Sequence, residues 1–328
     1  MRYRSVRGAS IPVLHSAGLG QIDVPYDTGA EEHLDMPGFG VNTARLRPSD
    51  CPDGQRVPAK KPVLCATIEK DGLRGEWSDY DFGSGNHAFP GSCLAVYTVT
   101  PADWYTYMNK WRLCDDGSVQ ALVGAGGTLS PHTHSGPETG QATGPGDTNY
   151  ATAHFHNVFW RLDFGLGGAG QQVITQVDDT AVGAVHKITT EELRLETARR
   201  VAPSRVWRVS NSSATNSDMH AVALDIDLQN GSPYRDAPDH AFTDNDFYVT
   251  QYQPCERLAA NNRALDCGAS VTDYTNSEPV THPIVWVQNG FHHLPRDEDE
   301  PMMNQHWQSI SLSPRGFTAI NELEQNAK

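Results

Sequence analysis

Long apolar segments are missing from this sequence. No run reaches the roughly eighteen apolar residues that a membrane-spanning helix needs, and residues 1–25 lack the apolar stretch and small-residue cleavage site of a secretory signal. We therefore expect a soluble chain with no membrane partner. Of the 328 residues, 38% are hydrophobic and 20% are charged, which is enough apolar material for at least one large core.

Basic residues are also scarce. The chain has 25 Lys and Arg against 40 Asp and Glu, for a formal net charge of −15 at pH 7. This charge repels phosphate backbones and anionic membranes, and it attracts cationic ligands such as protonated amines. Nucleic acid is therefore not expected as a partner.

The six cysteines include no pair spaced as C-x-x-C, which argues against a zinc ribbon and against a thioredoxin-like redox site. Cys255 and Cys267 flank a polar stretch, and they would suit a bridged loop in an oxidising compartment. Buried free thiols are the alternative interpretation of these side chains.

Most of the chain has the alternating or clustered β-formers of strands, so the predicted fold is all-β, a large antiparallel β-sandwich. The predicted strands lie in PVLCATIE, SCLAVYTVT, WRLCDDGSVQALVGA, HFHNVFWRLDF, VWRVSN, MHAVALDIDL, DFYVTQY and THPIVWVQ. One helix is predicted over 188–200, where a threonine cap and acidic residues begin ITTEELRLETARR. A hairpin turn is predicted at 115–117 and a long loop at 124–149. Without an internal repeat or a low-complexity linker, residues 1–328 are predicted to form a single domain.

Two strands provide histidines whose geometry suits a metal ion. In HFHNVFWRLDF, His154 and His156 are two residues apart, so both imidazoles leave the same face of the strand, as a chelate requires. Imidazole suits copper, zinc, iron or nickel, and a third ligand from elsewhere would leave an open position for water or oxygen. One of His292 and His293, which follow the apolar strand PIVWVQ, is the predicted third ligand. A hydrogen-bonded histidine pair on a half-buried strand is the alternative.

Another histidine pair, His132 and His134, lies in SPHTHSGP. The flanking Pro, Ser and Gly predict a loop, which leaves the geometry of the pair unfixed. We therefore expect a mobile lid or a solvated loop there rather than a metal site.

Ordered motifs along nearly the whole chain resemble those of the copper amine oxidases. The two most specific are the family's HQHxFxxRLD, which is similar to residues 154–163, and its THIPRxEDxPxM, which is similar to residues 293–302. The motifs VPYGDP, FDxGEYG, CDCLG and AICxHEED resemble segments that begin at Val24, Leu34, Ser49 and Val63. The cofactor motif N-Y-D/E-Y, upstream of W-x-F-x-x-D-G, resembles Trp104-Tyr105-Thr106-Tyr107 followed by residues 111–117.

The resemblance implies the family's catalytic domain, with a copper ion bound by His154, His156 and His293 and a topaquinone cofactor made from Tyr105. In the implied ping-pong reaction a primary amine condenses with the quinone and leaves as an aldehyde. Dioxygen then regenerates the cofactor, with release of ammonia and hydrogen peroxide.

Further roles follow from the same resemblance. Asp35 matches the base that removes the substrate's α-proton, which requires a pKa raised by burial, and Tyr26 matches the tyrosine that hydrogen-bonds the quinone oxygen. Cys51 and Cys65 match a disulfide. The family pattern also implies a homodimer, and full members carry smaller N-terminal domains that this chain lacks. If the disulfides form, an extracellular or periplasmic location is expected.

The cofactor motif differs from the family pattern at two positions. Trp104 replaces an asparagine and Thr106 replaces an acidic residue. Two further hypotheses therefore stand beside the quinone-dependent amine oxidase. The first is a copper oxidoreductase in which Tyr105 stays unmodified and which serves a specialised biosynthetic oxidation. The second is a non-catalytic copper-binding sandwich.

Overall fold

A computed structural model of the chain describes residues 1–4, 10–29, 32–34, 42–78, 86–130, 136–147, 149–168, 170–228, 234–235, 239–260 and 267–321. The strands in these ranges are β1 (Arg2–Arg4), β2 (Ser10–Pro12), β3 (Leu14–Pro25), β4 (Glu32–Leu34), β5 (Gln55–Val57), β6 (Leu64–Ser78), β7 (Asn86–Ala102), β8 (Tyr105–Cys114), β9 (Val119–Gly127), β10 (Gly140–Thr143), β11 (Asn149–Thr152), β12 (His154–Phe164), β13 (Val173–Val182), β14 (Val185–Glu192), β15 (Thr197–Arg199), β16 (Val206–Thr215), β17 (Ala221–Leu228), β18 (Phe247–Gln251), β19 (Pro283–His293) and β20 (Met303–Arg315). The helix α1 is Val271–Tyr274, and 3-10 turns lie at Pro48–Asp50, Ala241–Thr243 and Asp297–Asp299.

Two antiparallel sheets make up most of the structure. The six-stranded sheet has the order β15-β18-β19-β12-β3-β4, and the ten-stranded sheet has the order β14-β13-β16-β17-β20-β9-β8-β7-β6-β5. One hydrophobic cluster contains inward residues of both sheets, such as Trp160 of β12 and Val123 of β9, so the sheets pack face to face. The predicted all-β antiparallel sandwich is therefore confirmed.

Strand β12 occupies the middle of the six-stranded sheet, between β19 and β3. Its inward residues Val158 and Trp160 are buried in the core between the sheets. Its outward Phe159 is buried as well, under a second cluster that includes Phe242 and Trp286. Because both faces are covered, β12 continues as a largely apolar segment after its two histidines, and its position is tightly constrained.

The helix predicted over 188–200 is wrong. Residues 185–192 form β14, which pairs with β13 at one edge of the ten-stranded sheet, and residues 197–199 form β15. Every side chain of β14 is exposed, so this segment has no apolar stripe to bury as a helix, while its β-branched residues favour a strand. The α-helix of the described residues has only four residues. Within the described ranges, no helix has the length and apolar character needed to cross a bilayer.

The hairpin turn predicted at 115–117 is confirmed, because Gly117 has φ +83° and its N–H donates to the carbonyl of Cys114 at 3.0 Å. The loop predicted at 124–149 is only partly right. Strand β9 continues to Gly127, and β10 and the start of β11 lie in the second half of that segment. His132 and His134 fall outside the described residues.

Three disulfides join the six cysteines, namely Cys51–Cys65, Cys255–Cys267 and Cys93–Cys114. The first two confirm the expectations from the sequence. The third links residues that lie directly opposite each other on β7 and β8. Sequence spacing does not indicate such a cross-strand bond, because it depends on the register of the two strands.

Candidate metal centre

The pairing of β12 with β19 brings two of the predicted ligands together. His154 lies opposite His293, and His156 lies opposite Phe291. Because residues two apart share a face, His154 and His156 both point into the sandwich, where they are 1% exposed, and His293 is 4% exposed. The strand register thus creates a buried histidine cluster between the sheets.

The hydrogen-bond partners of two histidines indicate where their protons lie. His154 Nδ1 is 3.3 Å from the carbonyl oxygen of Thr152, which can only accept, so Nδ1 carries the hydrogen and Nε2 keeps a lone pair. His293 Nε2 donates to Asp299 Oδ2 at 3.0 Å, which leaves the lone pair on Nδ1. His154 Nε2 and His293 Nδ1 are 3.2 Å apart. Neither of these two nitrogens carries a hydrogen, so both would be available to bind a cation.

His156 lies farther from the facing nitrogens of His154 and His293. Its ring centroid is 5.1 Å from that of His154, and its Nδ1 lies 3.4 Å from the hydroxyl of Tyr107. Among the described residues, His293, Asp299 and His306 form a group in which one ligand atom from each lies within 4.8 Å of the others, whereas His154, His156 and His293 do not. One ion shared by the three predicted ligands would therefore require the His156 ring to move closer to His154 and His293.

Burial keeps these imidazoles neutral. It lowers the pKa of His154 to about 3, and the neighbouring His293 adds to the effect. The pKa of His156 is held well below its ordinary value by burial and by His154, and burial also lowers the pKa of His293. Neutral imidazole is the metal-binding form, so near pH 7 these nitrogens can bind a metal without losing protons. The donor set fits copper, as it fits other metals that favour imidazole.

The facing sheet supplies two tyrosines from β8. Tyr105 is 5% exposed, and its hydroxyl donates to His154 Nε2. Its ring stacks on Tyr107 at 5.7 Å and meets the His156 ring edge-on at 4.9 Å. Across the sheet from Tyr105 lies Gly127, with φ +127°, where an added Cβ would overlap the carbonyl of Trp104. This close approach helps to place Tyr105 at the histidine cluster.

Tyr26 and Trp104 lie at the same end of the cluster. Tyr26 is 3% exposed and forms a β-bridge with His154, and their rings are 5.0 Å apart. The indole N–H of Trp104 donates to the Tyr26 hydroxyl at 3.1 Å. Thr106 follows Tyr105 on β8, so its side chain points to the opposite face of the strand. Of the two departures at the cofactor motif, only Trp104 thus bonds to a predicted site residue.

The structure separates the two candidates for the third ligand. His292 lies on the opposite face of β19 from His293, where its Nε2 is 2.9 Å from Asp27 Oδ2 and its ring stacks on Phe155 at 4.0 Å. It is therefore directed away from His154. Asp35 falls outside the described residues, so its role as a base stays a prediction.

Sequence reasoning missed two residues of this cluster, Asp299 and His306. Asp299 is fully buried and accepts from His293, a contact that only the 3-10 turn at 297–299 creates. His306 comes from β20 of the ten-stranded sheet, and its ring centroid is 4.6 Å from that of His293. An isolated histidine in a sequence carries no signal of such a contact.

The sequence of this chain is similar to those of copper amine oxidases. A family model for the copper amine oxidase enzyme domain matches residues 53–326. A primary amine oxidase of Arthrobacter sp. (strain P1) is 27% identical over 359 residues, covering 95% of this chain and 54% of that protein. Primary amine oxidase 2 of Arabidopsis thaliana is 26% identical over 350 residues, covering 94% of this chain and 52% of that protein. The chain thus spans about half the length of these curated relatives.

Solved structures show the same architecture. A copper-containing benzylamine oxidase from Hansenula polymorpha superposes with a TM-score of 0.82 at 20% identity, covering 97% of this chain and 57% of that chain. An amine oxidase of Aspergillus nidulans superposes with a TM-score of 0.79 at 16% identity, covering 95% of this chain and 48% of that chain. At this identity, the likeness shows a common fold.

Proposed function

Because the chain belongs to the copper amine oxidase family, we propose that it is a single catalytic domain that oxidises a primary amine. The proposed reaction converts the amine, dioxygen and water to an aldehyde, ammonia and hydrogen peroxide. Copper would be held by His154, His156 and His293, and topaquinone would form from Tyr105. The observation that carries the proposal is the hydrogen bond of the Tyr105 hydroxyl to His154 Nε2, the nitrogen that faces His293.

A neighbouring tyrosine and the net charge of the chain support this proposal. When bound, copper and the quinone would supply the redox chemistry, since the amino-acid side chains alone do not take up electrons from an amine. Tyr26, whose ring lies 5.0 Å from that of His154, is proposed to hydrogen-bond an oxygen on the ring of residue 105. The net charge of −15 favours the approach of a protonated amine. Asp35 is proposed as the base that takes the α-proton.

Trp104 supports a second candidate, a copper oxidoreductase in which Tyr105 is not modified. The Trp104 hydrogen bond to Tyr26 and the stack of Tyr105 on Tyr107 both restrain side chains around the phenol ring. If these contacts hold the phenol ring so that the carbon to be oxidised never faces oxygen, Tyr105 would remain a tyrosine. This protein would then catalyse a different oxidation with the same three histidines.

A mass measurement distinguishes the two candidates. Metal-free protein is loaded with copper in air, and a matched sample is loaded without oxygen. The amine oxidase predicts that the peptide with Tyr105 gains two oxygen atoms and loses two hydrogens only in air, and that a visible band reacts with phenylhydrazine. An unmodified Tyr105 peptide in fully copper-loaded, aerated protein would exclude the quinone mechanism and favour the second candidate. Failure to bind copper would exclude both and leave a non-catalytic sandwich.

We also propose that the chain forms a homodimer and reaches an oxidising compartment. Three disulfides support the compartment. The exposed edge hairpin of β13 and β14 carries Val182, Val185 and Ile188, each more than half exposed, which supports burial against another chain. Analytical ultracentrifugation of wild type and Ile188→Lys tests this interface. We expect wild type to be a dimer and the variant to dissociate, and a variant that stays dimeric would place the interface elsewhere.

A further inference from the structure

His306 lies beside the proposed copper site without a role in the proposed function. It comes from β20, where a β-bulge between Met303 and His306 shifts the pairing with β9 so that His306 pairs with Ala125. Ala125 is buried in the core between the sheets. From His306 onward the pairing is regular, so His306 lies on the same face of β20 as the core residues Ile310 and Leu312 and points across the sandwich toward β19.

Phe291 determines which side of the cluster His306 approaches. Its ring is stacked between two histidines, 4.8 Å and 17° from His156 and 5.4 Å and 7° from His306. His306 is therefore separated from His156, and it groups instead with Asp299 and His293. One ligand atom of each of these three residues lies within 4.8 Å of the others.

Asp299 offers His306 an acceptor. Its Oδ2 accepts from His293 Nε2 and from the backbone N–H of Arg296, both at 3.0 Å. Its Oδ1 is buried without a hydrogen-bond partner, and so is His306 Nε2. The Arg296 Nε lies 3.5 Å from Oδ1, which is longer than a charge-assisted hydrogen bond, and the Arg296 side chain is more than half exposed. Buried polar atoms are almost always paired, so these two atoms are natural partners.

We infer that His306 is a positioning residue of the metal centre, which acts by engaging Asp299 Oδ1 directly or through one water molecule. This inference rests on the proposed copper site. With His306 on Oδ1, Asp299 keeps Oδ2 in its hydrogen bond with His293 Nε2. That bond keeps His293 Nδ1 turned toward His154. Carboxylates that orient metal-bound histidines commonly act in this way.

Substitutions at His306 separate hydrogen bonding from packing. His306→Phe keeps a ring against Phe291 but removes the nitrogen, whereas His306→Gln places an amide N–H near the same point. Trp307→Phe is the matched control, because Trp307 is the next residue of β20 and is 39% exposed on the outer face. Copper affinity is measured by competition with a chelator, and the copper environment by electron paramagnetic resonance, so neither readout depends on amine turnover.

We expect His306→Phe to weaken copper binding about 10- to 100-fold and to change the resonance spectrum, as loss of a group that orients a ligand does. His306→Gln should recover most of the loss, and Trp307→Phe should match wild type. If His306 acts through Asp299, adding His306→Phe to Asp299→Asn should cause no further loss.

Three results would overturn the inference. The first is a His306→Phe variant with wild-type copper affinity and spectrum, and the second is a double variant in which the losses add. The third is two metal ions per wild-type chain and one per His306→Phe chain, which would make this cluster a second metal site. In all three cases wild-type copper binding stays intact. Wild-type protein that takes up no copper would instead overturn the proposed function, and this inference with it.

Discussion

The neutral state of buried His154 makes the stability of the metal-free protein depend on pH. Burial lowers the pKa of His154 to about 3, while an exposed histidine in the unfolded chain titrates near 6.5. Between these values the unfolded chain binds a proton that the folded chain does not. Stability therefore falls as the pH falls below 6.5, and the contribution of His154 levels off near pH 3.

The size of this loss follows from the distance below the unfolded pKa. Because half of the unfolded histidines are already protonated at pH 6.5, the first pH unit costs about 1.0 kcal/mol and the second about 1.3 kcal/mol, so the fall to pH 4.5 costs about 2.3 kcal/mol. Because His154 is 1% exposed, solvent screening does not reduce this figure much. His156 and His293, whose pKa values burial also lowers, add to the loss in the same direction.

Urea unfolding of metal-free protein with intact disulfides at pH 6.5 and 4.5 measures the loss. His154→Gln keeps a polar side chain of similar length but does not titrate. We expect wild type to lose about 2.3 kcal/mol more than His154→Gln over this interval. A difference below about 1 kcal/mol would refute the reasoning, because it would mean that His154 is already charged in the folded protein or reached by water.

The other predictions concern the ligands, the disulfide and the cofactor motif. His156→Ala should remove most bound copper while His134→Ala should not, as metal analysis after dialysis would show, and equal losses would contradict the ligand assignment. Cys51→Ser removes the Cys51–Cys65 disulfide, whose cysteines are 14 residues apart in the sequence, and should lower the free energy of unfolding by about 3 kcal/mol. Denaturant midpoints that coincide with and without reductant would contradict this prediction. Trp104→Asn removes the indole hydrogen bond to Tyr26 and should raise the fraction of Tyr105 that phenylhydrazine titrates after copper loading in air. An unchanged fraction would show that Trp104 does not restrain the ring.

The sequence predicts those parts of the site that depend on local periodicity. His154 and His156 could be identified because a period of two is enough to place both on one face of a strand. The choice between His292 and His293 depends on which face of β19 meets the core, and the residues alone left it open. The family motif selected His293, and the strand register places it opposite His154.

Contacts that depend on irregular structure or on distant strands could not be predicted. The contact of His306 with His293 joins strands of different sheets, and the Cys93–Cys114 bond depends on the register of β7 and β8. The helix expected over 188–200 was instead predicted but is absent. The local cap signal favours a helix, but part of this segment pairs with β13 as a strand. Tertiary pairing determines such segments more strongly than local propensity.

The proposed ligands His154 and His293 are adjacent across two strands but 139 residues apart in the chain, and this separation would affect the timing of metal uptake. During synthesis, His154 and His156 emerge long before β19, so the nascent chain cannot present three imidazoles to one ion. Such non-local strand pairing forms slowly, so a metal ion held by these three residues would be retained only after β12 and β19 have paired. Any oxidation of Tyr105 that requires the bound ion would then leave a permanent chemical mark on correctly folded molecules, and truncated or misfolded chains would lack it.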